Sequence, residues 1–412
     1  MRGAGDGEGT LASAAPLTIL QVHNRYRDPG GEDVAVDAEA EMLTAAGHHV
    51  VTWSASNDRG LRAVASLAAA PWNPQAARRA RRLAAQANPD VAHVHNTWFA
   101  LSPAVLRALH DAGVPVVMTL HNYRLACVSG VLFRDGHLCH DCLGTHPWRG
   151  VVHRCHRGSV VSSAAGAATI ALNRALGTWS GSVDHFIAVS ELVRRTAEQT
   201  GLDSGRVTVL PNMIRDPGPR ASPPSRSRTL LFVGRLAPNK GVGTLLEAWR
   251  RRRPSTLELA IAGGGPELGF VRDSAPPDVR VLERLQPGEI PGLMLSSRAL
   301  LYPSVLPETF GRVIAEAMAA GLPVLGSPAG GAAELLAAFG PRWSVPPGDV
   351  DAWVEGLARL ESDDAVDAAG VTGRAYYQAK LDPDATLAGL LDVYRTAAAR
   401  RASERPGSTV GA

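Results

Sequence analysis

Lysine is nearly missing from this chain. Of its 42 basic residues only Lys240 and Lys380 are lysines; the others are arginines. A sequence that writes arginine almost everywhere and lysine at position 240 reads as needing a compact point charge there, with chance as the alternative for so few cases. An excess of one charge sign is missing too. The net charge is +3, so no polyanion-binding surface and no nucleic-acid partner follow from the total. Local runs, Arg78, Arg79, Arg81 and Arg82, then Arg250 to Arg253, read first as solvated helix faces and second as contacts with an anionic membrane surface. No uninterrupted apolar run of about 18 residues occurs, so no bilayer span is expected. The nearest approach, "VVSSAAGAATIALNRALGTW", is broken by Asn173 and Arg174 and reads as a buried or interfacial helix. The opening "MRGAGDGEGTLASAAP" has no apolar centre and reads as a loose tail, not a secretory signal. The expected setting is cytoplasmic and reducing, with peripheral attachment to the inner face of the plasma membrane as its variant.

What is present is ordinary for a soluble enzyme: 412 residues, 45% apolar and 20% charged, enough for two cores. Short β-branched runs alternate with Ala/Leu/Arg helical patterns in each half. "LTILQVH", "HHVVTWS", "DVAHVHN", "VPVVMTLH" and "HFIAVS" fall in the first; "TLLFVGR", "LELAIAGGG", "VRVLER", "ALLYPS" and "LPVLGS" fall in the second. Continuous apolar strands separated by helices mean parallel sheets covered on both faces, so each half is expected to be a doubly wound α/β domain. The expected division is a tail 1–16, a first domain 17–214, a linker 215–228, a second domain 229–375, a final helix 376–400 that crosses back to the first domain, and a tail 401–412. The linker "RDPGPRASPPSRSR" is rich in Pro, Ser and Arg and has almost nothing to bury. Two such sheets facing each other leave a cleft at the C-terminal ends of their strands.

Three stretches of the second half aim at that cleft. In "FVGRLAPNKG" a strand ends before Gly234, Arg235, Lys240 and Gly241, and a helix follows. Free backbone N–H groups, a helix N-terminus, a guanidinium and an ammonium make a diphosphate cradle; a surface loop with two solvated cations is the alternative. No P-loop or dinucleotide fingerprint is present. In "IAGGGPE", Gly263 to Gly265 let a ligand approach the backbone closely, or simply form a tight turn. In "PSVLPETFGRVIAEAMAAGLPVLGS", Glu308 precedes a helix expected from Phe310 or Gly311 to Ala320, and Glu316 lies more than a turn inside it. Ionised carboxylates accept hydrogen bonds from vicinal diols, so two of them at most about 12 Å apart suit a ligand with a sugar at each end of a diphosphate. The alternative for Glu308 is a helix N-terminal acid. Glu316 sits among apolar residues, where a carboxylate without partners is costly.

"GRLAPNKG", "AGGGPE" and "PETFGRVIAEAMAAGLPV", in this order, resemble the second domain of retaining glycosyltransferases of family 4, which have the GT-B fold of two facing Rossmann-like domains. The glutamate pair is similar to that family's E-x7-E motif. "HNRYRDPGGEDV" is similar to its glycine loop and "TLHNY" to its histidine-bearing loop, so the resemblance extends over residues 17 to about 400. It implies transfer of a hexose from a nucleotide diphosphate sugar to an acceptor hydroxyl, the acceptor being a lipid-linked or polysaccharide glycan intermediate. Arg235 and Lys240 would neutralise the leaving diphosphate without a metal, Glu316 would hold the ribose, and Glu308 with the N–H groups of Phe310 and Gly311 would bind the transferred sugar. Gly234, Gly263 and Gly264 would line the donor site. Gly30 and Gly31 would let the N-terminal loop close over donor and acceptor, and His121 would contact the sugar near the reacting carbon. Glu32 is a candidate base or a helix-start acid. Other GT-B enzymes, such as an epimerase or a sugar-phosphate synthase, and a non-catalytic sugar-nucleotide-binding subunit are the competing readings.

All four cysteines, Cys127, Cys139, Cys142 and Cys155, fall in a Gly-rich insertion, 127–155, with spacing C-x11-C-x2-C-x12-C. One C-x2-C knuckle is present where a zinc ribbon has two. Structural zinc is the first expectation, with His137, His140, His153 and His156 available as substitutes; free thiols come second and disulfides third. His93 and His95 alternate along a strand and read as hydrogen-bonded structural histidines.

Overall fold

A computed structural model describes residues 15–26, 30–57, 61–283 and 285–404. Thirteen strands are present among them: β1 (Thr18–Arg25), β2 (His49–Ser56), β3 (Val91–Asn96), β4 (Val116–Leu120), β5 (Phe133–Arg134), β6 (His137–Leu138), β7 (His185–Ala188), β8 (Val207–Val209), β9 (Thr229–Val233), β10 (Glu258–Ala262), β11 (Val279–Leu282), β12 (Ala299–Tyr302) and β13 (Val324–Gly326). They form a six-stranded sheet, β2-β1-β3-β4-β7-β8, a five-stranded sheet, β11-β10-β9-β12-β13, and the hairpin β5-β6. Every pairing in the two large sheets is parallel.

The central strands are buried along their length, as expected where helices cover both faces of a sheet. β3, β4, β7 and β12 are buried at every position. In the first sheet the chain leaves β1 for β2 on one side and then crosses to β3 on the other. In the second it goes from β9 outward to β11 and then returns to β12 beside β9. Each reversal opens a crevice at the carboxyl ends of the two strands that flank it. Those ends are where Gly30 and Asn96, and Gly234 and Ser304, are found.

Three expectations need correction. The region 215–228 does bury and bind: Pro224 is buried, Arg220 donates to the carbonyls of Met294 (2.9 Å) and Ser297 (2.7 Å), and the Ser225 N–H and hydroxyl both donate to Asp367. Arginine and serine there are ligands for free carbonyls and a carboxylate, not linker filler. The last helix does not start at 376; Asp363–Lys380 is one helix, Asp382 caps the next, and that helix runs Pro383–Ser403, past the expected tail start at 401. Residues 1–14 and 405–412 of the two tails, and 27–29 of the glycine loop, lie outside the described residues. The final helix packs on the first sheet: Leu390, Val393, Tyr394 and Ala397 share a core with Ile19, Leu43, Val91, Val117 and Ile187. Among the described residues no helix is long and apolar enough to cross a membrane.

Candidate active site

The β9 loop is held tightly against its neighbours. Lys240 ends a 3-10 turn, Pro238–Lys240, and Gly241 (φ 71°) starts the helix Val242–Arg251. A Cβ on Gly241 would overlap the Pro303 carbonyl oxygen, so the β9 and β12 loops meet backbone to backbone. The Asn239 carbonyl accepts from the N–H groups of Val305 (3.1 Å) and Leu306 (3.2 Å), locking the loop that carries Glu308. A Cβ on Gly263 would likewise strike the Gly234 carbonyl, and Leu236 N–H donates to the Gly264 carbonyl at 2.9 Å. On the side where a Cβ would project, Gly263 packs against the β9 loop.

These contacts bring Lys240 into an ion pair with Glu308. Ser304 Oγ donates to the same carboxylate oxygen at 3.3 Å. Burial alone would raise the Glu308 pKa, but the ammonium beside it holds the carboxyl below the ordinary range. Arg235 stands exposed at the same loop. The helix after Glu308 is Arg312–Ala319, with Gly311 (φ 86°) as its left-handed N-cap. Neither the Phe310 nor the Gly311 N–H donates to a protein acceptor among the described residues, so two amides at a helix start remain for a ligand.

Glu316 has a partner that sequence reasoning missed. Arg312, one turn earlier, places Nε 2.8 Å from its carboxylate, and Arg312 NH1 donates to the Met213 carbonyl at 3.1 Å. Burial nevertheless raises the Glu316 pKa, with Arg312 opposing it. The i, i+4 spacing of the two was readable in the sequence.

The first domain supplies the facing wall. Gly30 N–H donates to Asp33 Oδ2 at 2.8 Å and Gly31 opens the helix Gly31–Ala45. A Cβ on Gly31 would stand 3.8 Å from Cδ of Arg312, so the glycine loop touches the glutamate-bearing helix. Thr309 Oγ1 donates to the His121 carbonyl at 2.8 Å, joining the two domains beside Glu308. Glu32 stands in the first turn of the helix Gly31–Ala45, as the helix-start reading expects, but its side chain is shielded from solvent. It is buried, accepts from Tyr26 OH (2.8 Å) and Asn122 Nδ2 (3.2 Å), and burial raises its pKa. His93 and His95 are hydrogen-bonded as expected: His93 lies 2.8 Å from Tyr394 OH and 2.7 Å from Thr119 Oγ1, and His95 Nδ1 lies 3.0 Å from His121 Nε2.

Glu39, His93 and His95 gather their ligand atoms within 4.8 Å of one another, as do His110, Asp184 and Glu404. In the first cluster the His93 nitrogens face Tyr394 OH and Thr119 Oγ1, and those of His95 face His121 Nε2 and the Glu39 carboxylate. The four cysteines are free thiols, Cys127 and Cys142 buried, Cys139 and Cys155 half-buried. They share one neighbourhood: burial, then the other three thiols, pushes Cys155 up to about 11. They are not among the clusters whose ligand atoms close to 4.8 Å.

Two parallel α/β domains, with a cation–carboxylate pair and open amides at the switch point of the second and the His121 loop of the first bonded to Thr309 beside them, have the layout of a GT-B glycosyltransferase. The family description "Glycosyltransferase Family 4" matches residues 29–216, and "Glycosyl transferases group 1" matches residues 219–375. The chain belongs to the family 4 glycosyltransferases. It is 29% identical to the phosphatidylinositol N-acetylglucosaminyltransferase gpi3 subunit of Schizosaccharomyces pombe, over 52% of this chain and 48% of that protein. It is 29% identical to the phosphatidyl-myo-inositol mannosyltransferase of Mycobacterium leprae, over 53% of this chain and 61% of that one. The protein of the same name from Mycolicibacterium smegmatis is 26% identical over 89% of this chain and 90% of its own length. The chain thus spans about half to three-fifths of the first two relatives. Among solved structures, Anabaena HepE in complex with UDP and glucose superposes with a TM-score of 0.64 at 18% identity, covering 92% of this chain and all (100%) of that one. Sucrose-phosphate synthase from Thermosynechococcus elongatus gives a TM-score of 0.66 at 18% identity, over 92% and 98% of the two chains.

Proposed function

We propose that this glycosyltransferase moves a hexose from a nucleoside-diphosphate sugar to an acceptor hydroxyl with retention of anomeric configuration. The observation that carries the reading is the Lys240–Glu308 pair set beside the undonated amides of Phe310 and Gly311. A diphosphate needs cations and N–H donors; a sugar needs a carboxylate that accepts from its hydroxyls. The two kinds of group stand together here. As the bond from the anomeric carbon to the diphosphate oxygen breaks, Lys240 and Arg235 stabilise the growing negative charge, while Glu308 and the amides of Phe310 and Gly311 hold the transferred sugar. The acceptor oxygen bonds to the anomeric carbon on the face that the diphosphate leaves, and its proton passes to the departing diphosphate. No carboxylate nucleophile is needed, and the chain's own cations do the work a metal does elsewhere. Glu316, oriented by Arg312, holds the ribose hydroxyls, and the Gly30–Gly31 loop closes over the bound pair.

The acceptor is proposed to be a lipid-linked or polysaccharide glycan intermediate. The three relatives above are named for phosphatidylinositol substrates, which supports a lipid-linked one. Peripheral attachment to an anionic membrane, at its cytoplasmic face, fits the exposed apolar side chains Trp148, Val152 and Val161 beside exposed Arg149 and Arg154.

Thermal-shift binding of a nucleotide-sugar panel, without added metal, tests the donor site. One sugar nucleotide should stabilise the wild type and lose most of that effect in Lys240→Ala, and the anomeric configuration of the product should match the donor's by NMR. If no sugar nucleotide stabilises the wild type, the reading fails; an inverted product would remove the retaining mechanism alone.

A further inference from the structure

Behind His121 lies a buried relay of side chains. His23 comes from β1, His93 and His95 from β3, His121 from the loop after β4, and Glu39 from the helix that the glycine loop starts. The His95 and His121 rings stack at 5.3 Å with an interplanar angle of 26°, and His95 Nδ1 lies 3.0 Å from His121 Nε2. The other nitrogen of His95, Nε2, stands 3.2 Å from Glu39 Oε1 in a bent approach. The same carboxylate oxygen lies 2.8 Å from His93 Nδ1 and 3.3 Å from Gln21 Nε2. His93 and His95 are 0% and 2% exposed, so no bulk water arbitrates between alternative proton positions.

The direction of each hydrogen bond follows from the charged end. Burial would raise the Glu39 pKa, but the imidazoles of His93 and His95 outweigh it, and the carboxyl is held well below the usual range. It is therefore ionised at neutral pH. A lone pair on His95 Nε2 at 3.2 Å from that oxygen would be repelled, whereas an N–H is attracted even when bent. Burial, with like charge from His93, lowers the His95 pKa to about 4, so the ring is neutral and carries one proton. With that proton on Nε2, His95 Nδ1 is an acceptor. At 3.0 Å its partner must donate, so His121 carries its own proton on Nε2. Burial also keeps His121 neutral, which strips its Nδ1 of hydrogen. That nitrogen has no hydrogen-bond partner among the described residues and is not sealed from solvent.

We infer that Glu39 and His95 are positioning residues that lock His121 as its Nε2–H tautomer, so that His121 meets substrate only as a hydrogen-bond acceptor through Nδ1. Resting on the nucleotide-sugar reading above, this gives the site a stated specificity. The group placed against His121 is a sugar hydroxyl that donates its proton. A phosphate oxygen, a ring oxygen or a fluorine, which can only accept, finds no donor there. His121 is thereby also excluded as the acid that protonates the leaving group at neutral pH.

Two measurements on the full chain test this, and their failures are distinguishable. In two-bond proton–nitrogen NMR of histidine-labelled wild type at pH 7.5, the His121 signals, assigned by their loss in His121→Gln, should show an unprotonated Nδ1 and a protonated Nε2. In Glu39→Leu the two nitrogens should move toward averaged shifts. A protonated Nδ1 in the wild type overturns the proposal whatever the mutants do, including a mutant that does not fold. The second measurement uses donor analogues in which each hydroxyl of the transferred sugar is replaced by hydrogen or by fluorine. At the position facing His121 both replacements should lower kcat/KM by about tenfold, alike. A fluoro analogue that regains activity over its deoxy counterpart shows His121 donating and overturns the tautomer lock. The expected NMR pattern with no turnover of any sugar nucleotide leaves the lock standing and sinks the donor reading.

Discussion

Thr309 Oγ1 donates to the His121 carbonyl oxygen across 2.8 Å, one residue on each side of the cleft. Thr309 follows Glu308 directly, so the bond ties the carboxylate of the second domain to the histidine of the first. Thr309→Val keeps the shape and removes the donor. One net hydrogen bond is worth about 1 kcal/mol, so kcat/KM for the sugar nucleotide should fall about fivefold while the melting temperature changes little. Unchanged kinetics would mean that the half-sites are registered by other contacts.

The buried histidines predict a stability that depends on pH. In the unfolded chain His95 takes up its proton near pH 6.5; in the folded chain it does so only near 4. Between those values the unfolded state holds more protons, so stability rises with pH across this window and is lost on acidification. His121, also pushed well below its ordinary value by burial, adds in the same direction. The His95 shift alone amounts to about 3 kcal/mol when the window is fully crossed. Urea unfolding at pH 7.5 and at pH 5 should therefore give clearly lower stability at pH 5, with a smaller difference in His95→Gln. A flat profile would place these rings in contact with water.

Much of the layout is legible in the sequence. Alternating strand and helix patterns announced two parallel domains, and the Gly234–Gly241 and Glu308–Glu316 stretches marked the loops at one switch point. What could not be read was which side chains meet. Lys240 and Glu308 are 68 residues apart and His95 and His121 are 26 apart, and only the sheet order brings each pair together. The 215–228 segment failed for a related reason. Its arginines and serines look solvated by composition, yet they satisfy carbonyls and carboxylates that only the fold exposes. For Gly263 the sequence shows a missing Cβ but not that the β9 loop, at the Gly234 carbonyl, packs where one would stand.

The cysteine quartet makes a separate prediction. We propose that Cys127, Cys139, Cys142 and Cys155 close on one structural zinc, with Arg134, which faces Cys139, offsetting part of the thiolate charge. Protein purified under reducing conditions should contain about one zinc per chain, and stripping it should lower the melting temperature and release four titratable thiols. Metal-free protein with four reactive thiols and an unchanged melting temperature would leave the cluster as ordinary cysteines. Loss of all free thiols without metal would point to disulfides.

Glu334 makes a second bridge between the domains. Its two carboxylate oxygens accept from the N–H groups of Glu191 (3.0 Å) and Leu192 (2.8 Å), the first residues of the helix Glu191–Gln199. An acid from one domain therefore caps a helix of the other, with the dipole adding to the two hydrogen bonds. Both bonds are lost if the domains part, so the contact holds the cleft closed before substrate arrives. Glu334→Ala should widen the molecule in small-angle scattering without ligand and raise the KM for donor several-fold, while saturating donor restores the compact form. The expected cost of about 1 to 2 kcal/mol is that of an N-cap. If the unliganded radius of gyration stays the same, the domains are held together mainly by the final helix, where Tyr394 meets His93, and Glu334 serves only as a cap.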